Sequence, residues 1–484
     1  MASVNPSPPG RSGVSIAGPG GFCGICLLSS AILDLAVMQR FGDLSPAALI
    51  LTLISAGLAV YVLRTPVGGG AGLRPLMWVA FAVVLGITNL YYIGIRGAVG
   101  SPPAVQVGLV VGLTAVAAIA AGLRAPRGGW ALAAAGVLWV GLVAATWGTW
   151  GSASIDVFHV VSGGSAALLH GTNPYGLLFN YTVAVSPTRF GFAAGHFAYG
   201  PIVPLLAAPG WLLGDVRSMS VVAVAATAMA LWVLARQGPQ AESAHRMAAL
   251  ALVSPLGLGM IWQAWVEVYL VAGVVCWLAM RRHHRAWAVG ALTVALLVSP
   301  ITLVVLAPAF LWSHRARLEI LIAAAAALVY ALPFIVATGV GSFFYDILGF
   351  QFTLPMRYDG LTLTAYVWSV FQVTLPGWLP AIIVLLVLAL FVRRGQPSHY
   401  GELAVQAALM VLATFVAAKW AFFNYYYIAT VMLMAAAAGT GVAFAPEELA
   451  MSHFIRWLMR PLALRDAAPE GNDYREKARR PAGA

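Results

Sequence analysis

The chain has 484 residues, of which 61% are apolar and only 9% charged, and its mean hydropathy is +0.87. A soluble domain is about half apolar and about a quarter charged, so a soluble globular protein is excluded and a polytopic membrane protein is expected. The net charge of +11, from 27 basic and 16 acidic residues, reads as basic loops on one side of a membrane. No DNA- or RNA-reading motif is present, so no nucleic-acid partner is expected.

Residues 1–20 are rich in Pro, Gly and Ser and are expected to be disordered. Apolar runs then predict spanning helices over 22–38, 47–63, 75–95, 104–122 and 130–149. Cys23 and Cys26 have zinc or redox spacing, but a zinc site needs about four ligands and Cys276 is the one further cysteine. They read as small apolar residues of the first helix. Arg64, Arg74, Arg124 and Arg127 place the linkers 64–74 and 124–129 in the cytoplasm. The helix 130–149 then delivers Asp156 to the opposite, extracytoplasmic face.

The interval from Trp150 onward is the longest that does not read as a span. Val157–His170 predicts an amphipathic helix at the membrane surface, followed by the polar turn GTNPY (171–175). Further spans are expected near 199–214, 217–235, 247–261 and 263–280. One piece between 199 and 246 is expected to be surface-lying or re-entrant, because the alternation of sides otherwise fails. The basic loops RRHHR (281–285) and HRAR (314–317) bracket a short hairpin with Ser299-Pro300 at its apex. Helix 318–338 returns outward, 339–360 forms an external loop, and 361–375 forms a helix on the surface. Spans follow at 377–392, 403–418 and 428–445, with KWAFFNYYY (419–427) turning at the outer surface and a basic cytoplasmic tail from 446. The fold class is all-α, with about 14 transmembrane helices. No internal repeat is visible.

The acidic inventory is short. Asp34 and Asp43 flank the weak first helix, while Asp215, Glu242, Glu319 and Glu402 fall in short loops. Asp156, Glu267, Asp346 and Asp359 remain, and all four are expected at the outer face. Ionisable groups at membrane depth are costly and mark polar cavities. Asp156 fits a general base: a carboxylate beneath a surface helix accepts a proton from an attacking hydroxyl, though it could also cap the helix it precedes. Glu267 lies among Trp262, Trp265 and Tyr269, which suit either an interfacial belt or the lining of a sugar site. Lys419 and Arg357 are candidate phosphate partners; snorkelling and a salt bridge to Asp359 are their alternatives. No cofactor is expected. His159 and His196 are the pair that could bind substrate or a divalent metal.

The segments IDVFHVVSGGSAALLHGTNPYGLLF (155–179) and HFAYGPIVPLLAAPGWLLG (196–214) resemble the signature of the GT-C membrane glycosyltransferases. They are most similar to the polyprenyl-phosphate-mannose-dependent mannosyltransferases, including those that extend phosphatidylinositol mannosides. That pattern has an Asp at the outer end of a helix, an Ala-Leu-Leu-x-Gly-x-x-Pro-Tyr turn, and a Tyr-Pro-Pro-like start to the next span. Asp156, Pro174, Tyr175, Tyr199 and Pro201 match it, with Gly200 in place of the first proline. The Ser299-Pro300 hairpin, PMRYDGLTL (355–363) and FNYYY (423–427) are similar as well. The hairpin lacks the lysine that relatives often carry there, and more helices precede the motif than in many relatives.

The resemblance covers residues 130–445, which it marks as a catalytic membrane domain after additional N-terminal helices (21–129) and before the tail (446–484). It implies transfer of a sugar, mannose before arabinofuranose, from a polyprenyl-phosphate carrier to a hydroxyl of a lipid or glycan acceptor. Asp156 would be the base. His159, Tyr175, His196, Tyr199, Glu267, Arg357, Asp359, Lys419, Asn424 and Tyr425 would hold the substrates. A transporter or lipid flippase is the competing class.

Overall fold

A computed structural model describes residues 19–39, 43–64, 75–96, 104–123, 127–147, 156–180, 194–239, 241–350, 358–419 and 421–444. Within them the chain is helical apart from a two-residue antiparallel pair, Phe179–Asn180 against Ala194–Gly195. The first five helices are α1 (Pro19–Met38), α2 (Pro46–Arg64), α3 (Pro75–Arg96), α4 (Ala104–Gly122) and α5 (Arg127–Trp147). They match the apolar runs closely. Proline opens α1, α2 and α3, where its fixed φ suits a helix and its missing N–H has no intrahelical role. Cys23 and Cys26 are buried in α1.

The chain continues with α6 (Asp156–Leu169), α7 (Val203–Leu212), α8 (Arg217–Arg236), α9 (Ala244–Val253), α10 (Pro255–Trp262), α11 (Glu267–Met280), α12 (Arg285–Val298) and α13 (Ile301–Trp312). Here the expected spans are corrected. The run 199–214 holds only the 10-residue α7, about 15 Å long and shorter than a full span. The span expected at 247–261 is two helices bent by 47° at Ser254-Pro255, since proline removes a backbone donor and its ring crowds the preceding turn.

The last helices are α14 (His314–Thr338), α15 (Val340–Phe344), α16 (Leu363–Phe371), α17 (Leu379–Arg394), α18 (Tyr400–Val416) and α19 (Phe423–Ala438), with a π-helical turn at Tyr345–Gly349 after α15. HRAR is therefore the first turn of α14, capped by Ser313 Oγ accepting from the Ala316 N–H at 3.1 Å. Much of the expected loop 339–360 is helical. FFNYYY is no surface turn either: Phe423–Tyr427 open α19, where Asn424, Tyr426 and Tyr427 are buried. The tail from 445, the first 18 residues and Arg357 lie outside the described residues.

Among the described residues, seven helices are long and apolar enough to cross a membrane, or eight with the bent pair α9–α10 taken as one span. Helices α14 and α17 turn Leu321, Leu328, Val329, Val336, Leu385 and Leu386 outward; such continuous apolar surface belongs in lipid. Helix α19 is nearly wholly buried and packs on α1, α8, α11 and α18.

At one end of the bundle the two basic loops meet around a single acid. Glu319, 0% exposed, accepts from Trp277 Nε1 at 2.8 Å and Arg315 Nε at 3.1 Å, with Arg281 Nε at 3.3 Å. Glu319 thus lies in α14 and not in a loop. At the other end, the Leu44 N–H donates to Asp359 O at 2.7 Å and the Leu361 N–H to Ala421 O at 2.9 Å. These bonds tie the α1–α2 turn, the segment before α16 and the entry to α19 together.

Candidate functional site

The candidate residues gather at this second end. Asp156 is the first residue of α6, exposed, with its Oδ1 accepting from the Val157 N–H at 3.0 Å. The carboxylate therefore helps to cap its helix while remaining at the surface. Tyr425 of α19 lies within electrostatic range of both Asp156 and Glu267 and stacks on Phe415 with ring centroids 4.0 Å apart. Glu267, 4% exposed at the start of α11, accepts from Asn424 Nδ2 at 2.8 Å, and its Oε2 has no hydrogen-bond partner. Trp262 and Tyr269 are buried inside the bundle and not turned to lipid as a belt. Asp156, Glu267, Asn424 and Tyr425, spread over 270 residues of sequence, thus come into one neighbourhood.

A second group forms where the loop after α6 meets the end of α14. The Tyr175 hydroxyl donates to Tyr199 O at 2.6 Å, and Asn173 Nδ2 donates to Thr338 Oγ1 at 2.6 Å. Asp346, 2% exposed in the π turn, accepts from the Gly176 N–H at 2.9 Å. His196 Nδ1 lies 2.8 Å from its other oxygen, at ion-pair distance but without the alignment of a hydrogen bond. Burial, and then the nearby Asp346 carboxylate, push the Tyr175 phenol well above its ordinary pKa, so it stays a neutral donor. Phe197, Phe334 and Phe343 pack around its ring. Asp346, left aside among the outer acids, is therefore the residue that fastens this loop. Its neighbours Phe343, Phe344 and Tyr345 were the local signal that a packed turn follows.

Gly200 explains its own departure from the Tyr-Pro-Pro pattern. Its N–H donates to Val298 O at 2.9 Å, and a Cβ there would sit 1.7 Å from Leu297 O. Neither proline nor alanine fits. The bond joins the entry to α7 to the hairpin apex, where Ser299 Oγ accepts from the Ile301 N–H at 3.3 Å. Helix α12 lies against α11, with Gly273 against Ala291 and Ala295, so this apex is at the Glu267 end of the pair.

The remaining candidates are more scattered. His159 is half-buried on α6 with its ring edge-on to Phe158. Asp359 is fixed through its backbone to Leu44, and burial lowers the Lys419 pKa. No group of three or more His, Cys, Asp or Glu that could hold a metal occurs among the described residues. Comparison with family models, with curated proteins and with solved structures finds no match to this chain. Fold and composition define a polytopic helical membrane protein.

Proposed function

We propose that the protein is an inverting membrane glycosyltransferase that takes a sugar, mannose in the first instance, from a polyprenyl-phosphate carrier. The observation that carries this reading is that, at one end of the bundle, the exposed acid heading α6 lies within electrostatic range of Tyr425, which follows the Asn424 bonded to Glu267. The Tyr175–Tyr199 clasp and the Ser299-Pro300 apex lie at the same end. Counting the six bundle helices of 12 to 17 residues (α11, α12, α13, α17, α18 and α19) as short crossings gives the expected fourteen spans. The site then faces the extracytoplasmic side of the cell membrane, opposite the arginine-rich loops.

Asp156 takes the proton of the acceptor hydroxyl while that oxygen attacks the anomeric carbon from the side opposite the carrier. The bond from that carbon to the phosphate oxygen breaks, and its electron pair leaves with the polyprenyl phosphate. Lys419 and Arg357 offset the charge of the leaving group. Glu267, held by Asn424, and the aromatic rings position the sugar. General-base catalysis contributes about 10²–10⁴-fold. Transfer of labelled mannose from polyprenyl-phosphate-mannose in membranes should therefore fall by about that factor in Asp156→Asn. Equal transfer by wild type and variant sinks the assignment.

A second reading, a transporter or lipid flippase, draws on one observation: the break between α9 and α10 beside a buried acid on α1. Broken helices at membrane depth line ion and substrate sites in such proteins. Sugar-independent flux of a labelled lipid in vesicles, with no transfer activity, would favour it.

A further inference from the structure

The break between α9 and α10 is where the sequence reading and the fold part company. Asp34, expected to flank a weak helix, is 0% exposed on the inner face of α1. Its Oδ2 accepts from Ser254 Oγ at 2.8 Å, and its Oδ1 has no hydrogen-bond partner. Ser254 stands at the bend, immediately before Pro255. The Val253 carbonyl accepts from Asn89 Nδ2 of α3, while Asn89 Oδ1, also fully buried, has no donor aimed at it. Thr430 of α19 lies against the Asp34 carboxyl without a well-aligned bond. Four elements thus bring oxygens to one break, and three of those oxygens are buried and unpaired.

We propose that Asp34, Asn89, Ser254 and Thr430 form a second site, set into the membrane, that binds a monovalent cation: a proton or a sodium ion. A carboxylate charge buried without a counter-ion is strongly disfavoured. Among the described residues no Lys, Arg or His of α2, α3, α10 or α19 is placed against Asp34. The titratable side chain that faces it is Tyr427 of α19, bonded to Thr227 of α8. A proton on Oδ1 would make the acid a donor to a neighbouring oxygen. A sodium ion would draw the unpaired oxygens inward, as helix breaks do in ion-coupled proteins.

Asp34 lies four residues before the end of α1 and Thr430 seven residues into α19, about 6 to 11 Å below the end of the bundle at 1.5 Å per residue. Asn424, Tyr427 and Thr430 share one face of α19 at three-residue spacing. They form a polar line from Glu267 down to Asp34, which is the route by which a cation enters. Occupancy of this site is independent of sugar transfer.

The test uses the full chain in nanodiscs. Thermal unfolding is followed as sodium replaces choline at constant ionic strength, and separately as pH is lowered at fixed sodium. A ligand that binds the folded state raises Tm in a saturable way. Wild type should show such a rise with sodium or with acid, and the same rise should be absent in Asp34→Asn and intact in Asp156→Asn. Asn89→Ala separates the two cations, weakening the sodium response about tenfold by removing one hard ligand and leaving a proton response in place. A wild type that answers to neither cation overturns the proposal, as does an Asp34→Asn variant that keeps the full response. Should Asp34→Asn not fold, carbodiimide modification of the wild type gives the answer by mass spectrometry. Asp34 should be labelled, with protection by sodium or by raised pH; no labelling at any pH, or labelling indifferent to both, overturns the site.

Discussion

The two ends of the bundle bury their acids in opposite ways. At the basic end, Glu319 receives an indole N–H and three arginines, Arg315, Arg281 and Arg285, at 3.1, 3.3 and 3.7 Å. At the other end, Glu267 is held by a single neutral amide and Asp34 by a single hydroxyl, and each keeps an oxygen without a partner. Asp346 stands between these cases, with a backbone N–H on one oxygen and an imidazole beside the other. Saturation with cations fixes a carboxylate as structure, because removing either charge strands the other. Neutral, incomplete partnering leaves the acid able to exchange a proton or receive a ligand. The contrast marks one end as fastened, and the chemistry proposed above draws on the incomplete partnering at the other.

Five substitutions at four positions put weight on that contrast. Glu319→Gln should cost the most, about 3–5 kcal/mol, because it leaves Arg281 buried without its counter-charge; thermal unfolding in nanodiscs reads it. Gly200→Ala should cost about 1–3 kcal/mol through the forced clash, with loss of transfer activity as the hairpin apex shifts. Gly200→Pro, although it restores the Tyr-Pro-Pro pattern, should be worse, since it also deletes the bond to Val298. His196→Ala should loosen the clasp on Asp346 by about 1–2 kcal/mol and increase proteolytic cleavage between Gly176 and His196. Glu267→Gln should change stability by about 1 kcal/mol or less, because the amide oxygen still accepts from Asn424, while transfer falls. If Glu267→Gln unfolds the protein as readily as Glu319→Gln, the distinction between the two ends is gone.

Where a helix is a simple apolar run, as in α2 to α5, the sequence marks its limits to within a few residues, because burial in lipid is a matter of composition. The failures share a different cause. The entry to α7 is fixed by the Gly200 bond to Val298 of α12, 98 residues away in sequence. The helical turn at 340–349 is fastened by Gly176 and His196 from another segment. An acid inside an apolar run reads as a helix end when its hydrogen-bond partner, Ser254, lies 220 residues off. Asp156 was legible because its position depends on local helix chemistry. The pairing of Glu267 with Asn424 was not, being a contact between two helices that no spacing rule connects. The ring of arginines around Glu319 was half legible: loop charge put both basic segments on one side, but not on the same carboxylate.

The hairpin α12–α13 has one further consequence, for the lipid around it. Its helices of 14 and 12 residues span about 21 and 18 Å, against a hydrocarbon thickness of about 30 Å, and Leu303 and Phe310 face outward along them. On the proposed fourteen-span arrangement, acyl chains beside this hairpin would splay and shorten, and the bilayer would dimple at Ser299-Pro300. On the same proposal, a carrier lipid diffusing into the dimple would present its head group lower than its neighbours do. Thin bilayers of short-chain lipid should thus sustain turnover better than thick ones.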